Sequence, residues 1–195
     1  MKIIELNNVS KRFRYQKVFE NFSFFVNKGE CILLVGANGS GKSTLIRGIL
    51  GLIGFDSGLV RIRSDKISYV PERFSFPEFV TLKAFLKVLL LDFNDLELYH
   101  ILDEWGLLCD SNKDLGTFSK GMKQKVLLIQ AIHSDSDILL FDEPLSGLDN
   151  LSETRLIRKL EVLKSNGKTI LIASHNPNKF GNLPDRIIKL EGGDL

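Results

Sequence analysis

Three groups of residues in this chain have types and spacings suited to phosphate chemistry. The run Gly36-Ala37-Asn38-Gly39-Ser40-Gly41-Lys42-Ser43-Thr44 matches the pattern G-x-x-x-x-G-K-[ST] in full. Backbone must approach a highly charged anion there, so glycines remove the obstruction of a Cβ, and successive N–H groups turn toward phosphate oxygens at the positive end of the following helix. Lys42 would add a point charge for the β- and γ-phosphates, and Ser43 a hydroxyl ligand for magnesium. The second group is Asp142-Glu143, which closes the apolar run Ile138-Leu139-Leu140-Phe141. Such a strand delivers both carboxylates to its C-terminal end, the edge where open α/β sheets bind ligands. Asp142 suits a magnesium ion held through water, and Glu143 suits polarising the water that attacks a γ-phosphate in line. The third is His175, which follows the apolar strand 169–173 at the same edge. An isolated histidine is otherwise a structural residue as often as a functional one, and His100 and His133, which lack this context, are expected to be structural.

The elements that must position these groups follow from hydrophobic periodicity. Ile4, Leu6 and Val9, then Val18, Phe22, Phe24 and Val26, alternate with polar residues and predict antiparallel strands, with Lys28-Gly29-Glu30 as a turn. Beyond them come the run Ile32-Leu33-Leu34-Val35, the phosphate loop, and a helix that ends at Gly51 before a turn over 54–58. Residues 60–62 and 67–70 are two short strands, the second stopped by Pro71. Over 81–105 the period becomes helical, with Leu82, Phe85, Leu86 and Leu89 on one face and Leu98, Ile101, Leu102 and Trp105 on another. A long amphipathic helix opening at 117–119 carries Met122, Val126, Ile129 and Ile132 on one stripe. The remaining pattern is strand 138–141, helix 150–165 closed by Asn166-Gly167, strand 169–173, a short helical stretch 176–180, and strand 186–190 before Gly192-Gly193. Strand and helix alternate across this half, so the core is α/β with a parallel sheet, its central strands covered on both faces.

Composition fits one well-packed domain. The chain has 195 residues, 44% hydrophobic and 26% charged, with a net charge of +2, which points to neither a disordered nor a membrane-spanning class. The apolar runs are too short to cross a bilayer, and Met1-Lys2-Ile3-Ile4-Glu5 lacks a signal-peptide core, so the expected location is the cytoplasm. No basic block calls for nucleic acid. Cys31, in a strand, and Cys109, in a loop after Trp105, have no metal or redox spacing and are expected to be reduced structural thiols.

Taken together, these motifs resemble the ATP-binding subunit of an ABC transporter, over nearly the whole chain. Phe118-Ser119-Lys120-Gly121-Met122-Lys123-Gln124-Lys125 is similar to the family signature LSGGQ with its basic tail, Ser146-Gly147-Leu148-Asp149 to the segment after the carboxylates, and His175 to the switch histidine. The resemblance implies a single ATP-binding domain over 1–195: a phosphate-loop NTPase core with a mostly parallel sheet, an N-terminal antiparallel β subdomain, and a helical subdomain at about 75–135. It implies ATP and Mg2+ as cofactors and an ATPase whose catalytic residues are Glu143, His175 and Lys42, with Ser43, Asp142 and Glu72 at the metal. Nucleotide would lie on Phe13, Gly36, Asn38, Gly39, Ser40, Gly41, Lys42, Ser43 and Thr44 of one copy and on Ser119 and Gly121 of a second ATP-binding domain, identical or closely related. Ser119 is also a good helix cap, and Gly121 would keep the first turn of its helix open, so that N–H groups face a γ-phosphate. Lys120 and Met122 depart from the signature, replacing a glycine and a glutamine. Asp149, which the resemblance sets against the partner subunit, also suits a capping box with Glu153.

Two positions carry alternatives. Phe13 matches the family's adenine-stacking aromatic, with Tyr15 as the competing ring. Glu72, in Val70-Pro71-Glu72, stands where many members have a glutamine that senses magnesium and the membrane partner. Phe74, Phe76 and Phe79 around Pro77 are expected either to be buried in the helical subdomain or to dock an integral membrane permease. The signature wording and the Val-Pro-Glu segment are similar to export-type systems, so the resemblance implies an export ATPase on the cytoplasmic face of a membrane. The rivals are a soluble ABC ATPase of nucleic-acid or ribosome association, whose resembling members generally carry a tandem second domain or a long coiled coil that this sequence does not show, and an iron–sulfur assembly ATPase, which these motifs fit equally.

Overall fold

The computed structural model describes residues 1–14 and 16–190. Tyr15 and Gly192-Gly193 lie outside the described residues. Two sheets carry the molecule. In the first, β1 (Lys2–Phe13) pairs antiparallel with β2 (Gln16–Asn27) on one side and with β4 (Ser57–Ile62) on the other. The second is wholly parallel, in the order β5 (Ile67–Val70), β6 (Ile138–Asp142), β7 (Thr169–Ser174), β3 (Cys31–Val35), β8 (Arg186–Lys189). The two short strands foreseen on either side of residue 65 therefore belong to different sheets. Along β3, Ile32 and Leu34 pack into one core while Cys31, Leu33 and Val35 pack into another, and β6 divides in the same way. That is the two-residue period of a strand buried on both faces, and it explains why these runs are apolar throughout.

The first core is closed by α1 (Lys42–Ile49), whose Leu45, Ile46 and Ile49 meet β1 and the parallel sheet. The second is closed by α4 (Lys120–Ile132) and α5 (Asn150–Ser165), together with two helices lying between β5 and α4, namely α2 (Leu82–Leu89) and α3 (Asp95–Glu104). The single helical stretch expected over 81–105 is thus two helices. Leu90 ends the first, and Asn94 starts the second with a reciprocal capping box to Glu97. Leu89, placed on the buried face by periodicity, is exposed at this break. The stretch 176–180 forms a 3-10 turn over Pro177–Phe180, and Cys109 sits in a similar turn, Leu108–Asp110. Burial pushes the Cys31 thiol up to about 12, so it is an inert packing group. His133 is half-buried against Phe93, its pKa lowered by burial and then by Lys159, whereas His100 is exposed on α3.

Asp149 caps α5, accepting from the Ser152 N–H at 2.8 Å. The expected box with Glu153 does not form, because the third helical position is Ser152, and Glu153 instead pairs with Lys179. Backbone and hydroxyl donation from Ser152 and the Lys125 ammonium at 3.0 Å hold the Asp149 carboxyl well below the usual range.

Candidate functional site

The phosphate loop joins β3 to α1, and the shape of that junction explains its glycines. Gly41 has φ +96°, a left-handed conformation that costs an L side chain roughly 1–2 kcal/mol, and a Cβ there would also lie 2.5 Å from Val18. Gly36 is needed for space: a Cβ would lie 2.4 Å from Ser40 Oγ and 2.6 Å from the Leu190 carbonyl oxygen. Lys42 is only 6% exposed, and its ammonium donates to the Gly36 and Ala37 carbonyls at 2.7 and 3.1 Å.

Across the loop, β6 ends in Asp142 and Glu143. Glu143 has φ +49°, a strained value for a side chain of this size, and its backbone is held by its own N–H donating to the Ala173 carbonyl at 2.9 Å. Its carboxylate is held as firmly. One oxygen accepts from the His175 backbone N–H at 2.9 Å and lies 3.8 Å from the Lys42 ammonium. The other accepts from His175 Nδ1 at 2.9 Å and from the Ser174 hydroxyl at 3.3 Å. Lys42, Glu143 and His175, which the sequence separates by up to 133 positions (175 − 42), thus meet at one edge of the sheet. Ser174 was not foreseen; its place at the C-terminal end of β7, beside His175, was the available signal.

Asp142 is fully buried, and neither of its oxygens receives a well-formed hydrogen bond. Burial raises its carboxyl above the ordinary range; the nearby Ser43 hydroxyl opposes that shift, Glu72 and Glu143 add to it, and Arg47 opposes it. A buried carboxylate without donors is a misfit in a finished core and a fit for a cation. Among the described residues no three His, Cys, Asp or Glu side chains form a metal cage, so a metal here would have to draw on phosphate and water beside Asp142 and Ser43, as magnesium does.

Gly41, Lys42, Ser43 and Glu143 line a cleft of about 450 Å3, together with Phe13, Gln16, Lys17, Val18, Asn38, Gly39, Thr44, Glu72 and Arg73. Phe13 stands at its mouth, 49% exposed, with the Lys11 ammonium 5.2 Å from the ring centre. Glu72 lies in the wall. Arg73 and Lys17 are cations that motif matching alone does not mark. A cleft of this volume, with an aromatic ring at one end, a basic loop at the other and a buried carboxylate beneath, can hold a nucleoside triphosphate with a divalent cation.

Ser119 and Gly121 lie elsewhere on the surface and do not line this cleft. Ser119 caps α4, accepting from the Met122 N–H at 3.2 Å. Gly121 owes its identity to packing more than to an open first turn, since a Cβ there would meet the Gly147 carbonyl oxygen at 2.4 Å. Lys120, in place of the family's glycine, donates to the Ser146 hydroxyl at 2.8 Å, and the buried amide of Gln124 donates to the Pro144 carbonyl at 3.1 Å. The start of α4 is thereby bound to the segment that follows Glu143. Of the three phenylalanines, Phe76 is buried at 7% exposure between Phe74 and Phe85, while Phe74 and Phe79 are 46% and 89% exposed.

Known proteins agree with this geometry. The family model described as ABC transporter matches residues 19–146. An uncharacterised ABC transporter ATP-binding protein, YthP of Bacillus subtilis, is 37% identical over 92% of this chain and 79% of its own length. The zinc import ATP-binding protein ZnuC of a Ruegeria species is 32% identical over 98% of this chain and 78% of its own. A solved structure described as the ATP binding subunit of an ABC transporter superposes with a TM-score of 0.84 at 29% identity, over 96% of this chain and 85% of that one. The fold is that of these ATPases, and no helix among the described residues is long and apolar enough to cross a membrane. This chain therefore belongs to the ABC transporter ATP-binding family and is one of its ATPases.

Proposed function

We propose that this chain binds Mg-ATP in the cleft, closes on a second ATP-binding domain around it, and hydrolyses it to drive export through a separate integral membrane permease, working from the cytoplasmic face. The observation that carries the reading is Glu143, strained and gripped by His175 and Ser174 within 3.8 Å of Lys42. In this reading residues 1–195 are one ATP-binding domain with the helical subdomain at about 75–135. Lys42 exchanges two carbonyl partners for the stronger charge of the β- and γ-phosphates, with Gly36, Asn38, Gly39, Ser40, Gly41 and Thr44 around them. Ser43 and Asp142 would hold magnesium, with Glu72 beside it, and the charge so held would supply electrostatic stabilisation to the phosphates. Glu143 orients and deprotonates the attacking water, and His175 holds Glu143 in place. Phe13 stacks on adenine, and the second domain supplies Ser119 and Gly121.

The exposed rings of Phe74 and Phe79 support a docking role toward the permease. The signature wording and the Val-Pro-Glu segment support export, whereas the zinc relative carries an import role in its name. A soluble ABC ATPase remains the second reading, and recovery from native membranes without an integral membrane protein would favour it.

The test is Glu143→Gln. Turnover is expected to fall at least about a thousandfold, in the range of a lost general base, while ATP binding persists and an ATP-stabilised dimer accumulates on size exclusion. An unchanged ATPase rate would remove Glu143 from the reaction.

A further inference from the structure

Asp142 is not the only polar group left unpaired beside the phosphate loop. In the parallel pairing of β5 with β6, Tyr69 is the partner of Leu140. Side chains alternate along a strand, so Tyr69, Leu140 and Asp142 all face α1. On α1, Ser43 and Arg47 are four residues apart and share one stripe. Two cross-pairs result: Ser43 lies over Asp142, and Arg47 lies over Tyr69.

The phenol oxygen of Tyr69 is buried with no well-formed hydrogen bond, as are both oxygens of Asp142. The charged groups facing it are Asp142, Arg47 and Glu72. A phenol is protonated at neutral pH and can donate. Phenylalanine would fill the same space against Leu45 and Ile46 without leaving a hydroxyl unsatisfied. An unpaired donor and an unpaired carboxylate on one wall are complementary to a water between them.

We propose that Tyr69 is a positioning residue for the magnesium site, its hydroxyl donating to a water that Asp142 shares with the metal and its ring kept in place by Arg47. This deepens the Mg-ATP reading above and rests on it. Tyr69 touches neither phosphate nor attacking water; it sets how well the wall beneath them accepts a hydrated cation.

The experiment uses full-length protein carrying Glu143→Gln, loaded with ATP, with Mn2+ as the probe and electron paramagnetic resonance as the readout. Adding Tyr69→Phe is expected to raise half-saturating Mn2+ about fivefold, the loss of one hydrogen bond, with unchanged affinity for ATP in EDTA and an unchanged melting temperature. Unshifted Mn2+ affinity, or a matching loss of metal-free ATP binding, would overturn the role of Tyr69 and leave the Mg-ATP reading standing. Absence of Mn2+ binding in the Glu143→Gln parent would overturn that reading itself, and Tyr69 with it.

Discussion

The two regions proposed to face nucleotide are built on opposite plans. The phosphate-loop region is enclosed: Ser40, Lys42 and Asp142 are buried, and β2 and the end of β8 press against the loop through Gly41 and Gly36. The signature region is open. Ser119 and Lys120 are exposed at the start of α4, whose first turn has no acidic residue to balance Lys120 and Lys123. Lysine at a helix N-terminus works against the macrodipole. The contrast supports reading one half of a phosphate site as complete within the chain, while the other presents Lys120 and Lys123 on a groove whose one carboxylate, among the described residues, is Glu72. Both halves use a glycine for close approach, yet the carbonyl each admits differs: Leu190 for Gly36, Gly147 for Gly121.

The largest expected effects come from breaking these two contacts separately. Gly36→Ala forces the loop away from Leu190 and is expected to weaken ATP binding by the isolated subunit at least about a hundredfold. Gly121→Ala is expected to leave that binding intact and to lower turnover about a hundredfold at concentrations where dimers form, as when a set of phosphate-facing donors is misplaced. Calorimetric ATP titration and a concentration series of ATPase rates separate the two outcomes. Equal loss of ATP binding in both variants would erase the distinction between a complete half and an incomplete one.

A smaller effect concerns stability. Burial raises the Asp142 carboxyl, so the folded pKa lies above the unfolded one. The folded state then holds the proton better: this contribution is fully present below the unfolded pKa and is lost as pH rises through the folded value. Above the folded pKa the charge is buried with no ion pair among the described residues, and Asp142→Asn is expected there to raise the melting temperature of metal-free protein by about 2–6 °C while abolishing ATPase activity. The gain should shrink toward pH 4. Ser119→Ala, on the open side, is expected to lower stability by roughly 1 kcal/mol through loss of a cap, so that stability and turnover fall together there. Scanning calorimetry at pH 7 and pH 4.5 measures both, and a lower melting temperature for Asp142→Asn would show the carboxylate to be better satisfied than its geometry indicates.

How much of this was legible in the sequence follows the range of the interactions concerned. The phosphate loop, the Asp142-Glu143 pair and the buried strands were legible because local pattern determines each of them. The break between α2 and α3 was hidden, since Leu89, Leu90 and Leu91 continue an apolar pattern through it, while α2 ends at Leu90 and the Asn94 and Glu97 box starts α3 anew. The reason for Gly121 lies 26 positions away in Gly147 (147 − 121), and the grip on Glu143 comes from the end of β7. Tyr69 looked like an ordinary strand aromatic until strand pairing put it on the same face as Asp142. Contacts across the sheet edge are not written in any single window of sequence.

The smallest expected effect belongs to the mouth of the enclosed half. Phe13 is half exposed at the tip of the β1 and β2 hairpin, where it pairs with Gln16, and the Lys11 ammonium covers one side of the ring. An aromatic platform offers a stacked base roughly 1–3 kcal/mol, so Phe13→Ala is expected to weaken ATP binding about tenfold and Phe13→Trp to preserve it. Tyr15→Ala is the control, because loss of affinity there, with Phe13→Ala unaffected, would hand the stacking role to Tyr15. Saturating ATP masks a loss of affinity alone, so the Phe13→Ala deficit should appear in ATP titrations of the isolated subunit and vanish from turnover measured at saturating ATP. Persistence of the deficit at saturation would mean that Phe13 also helps the two halves meet, and the enclosed region would then be less self-contained than its geometry suggests.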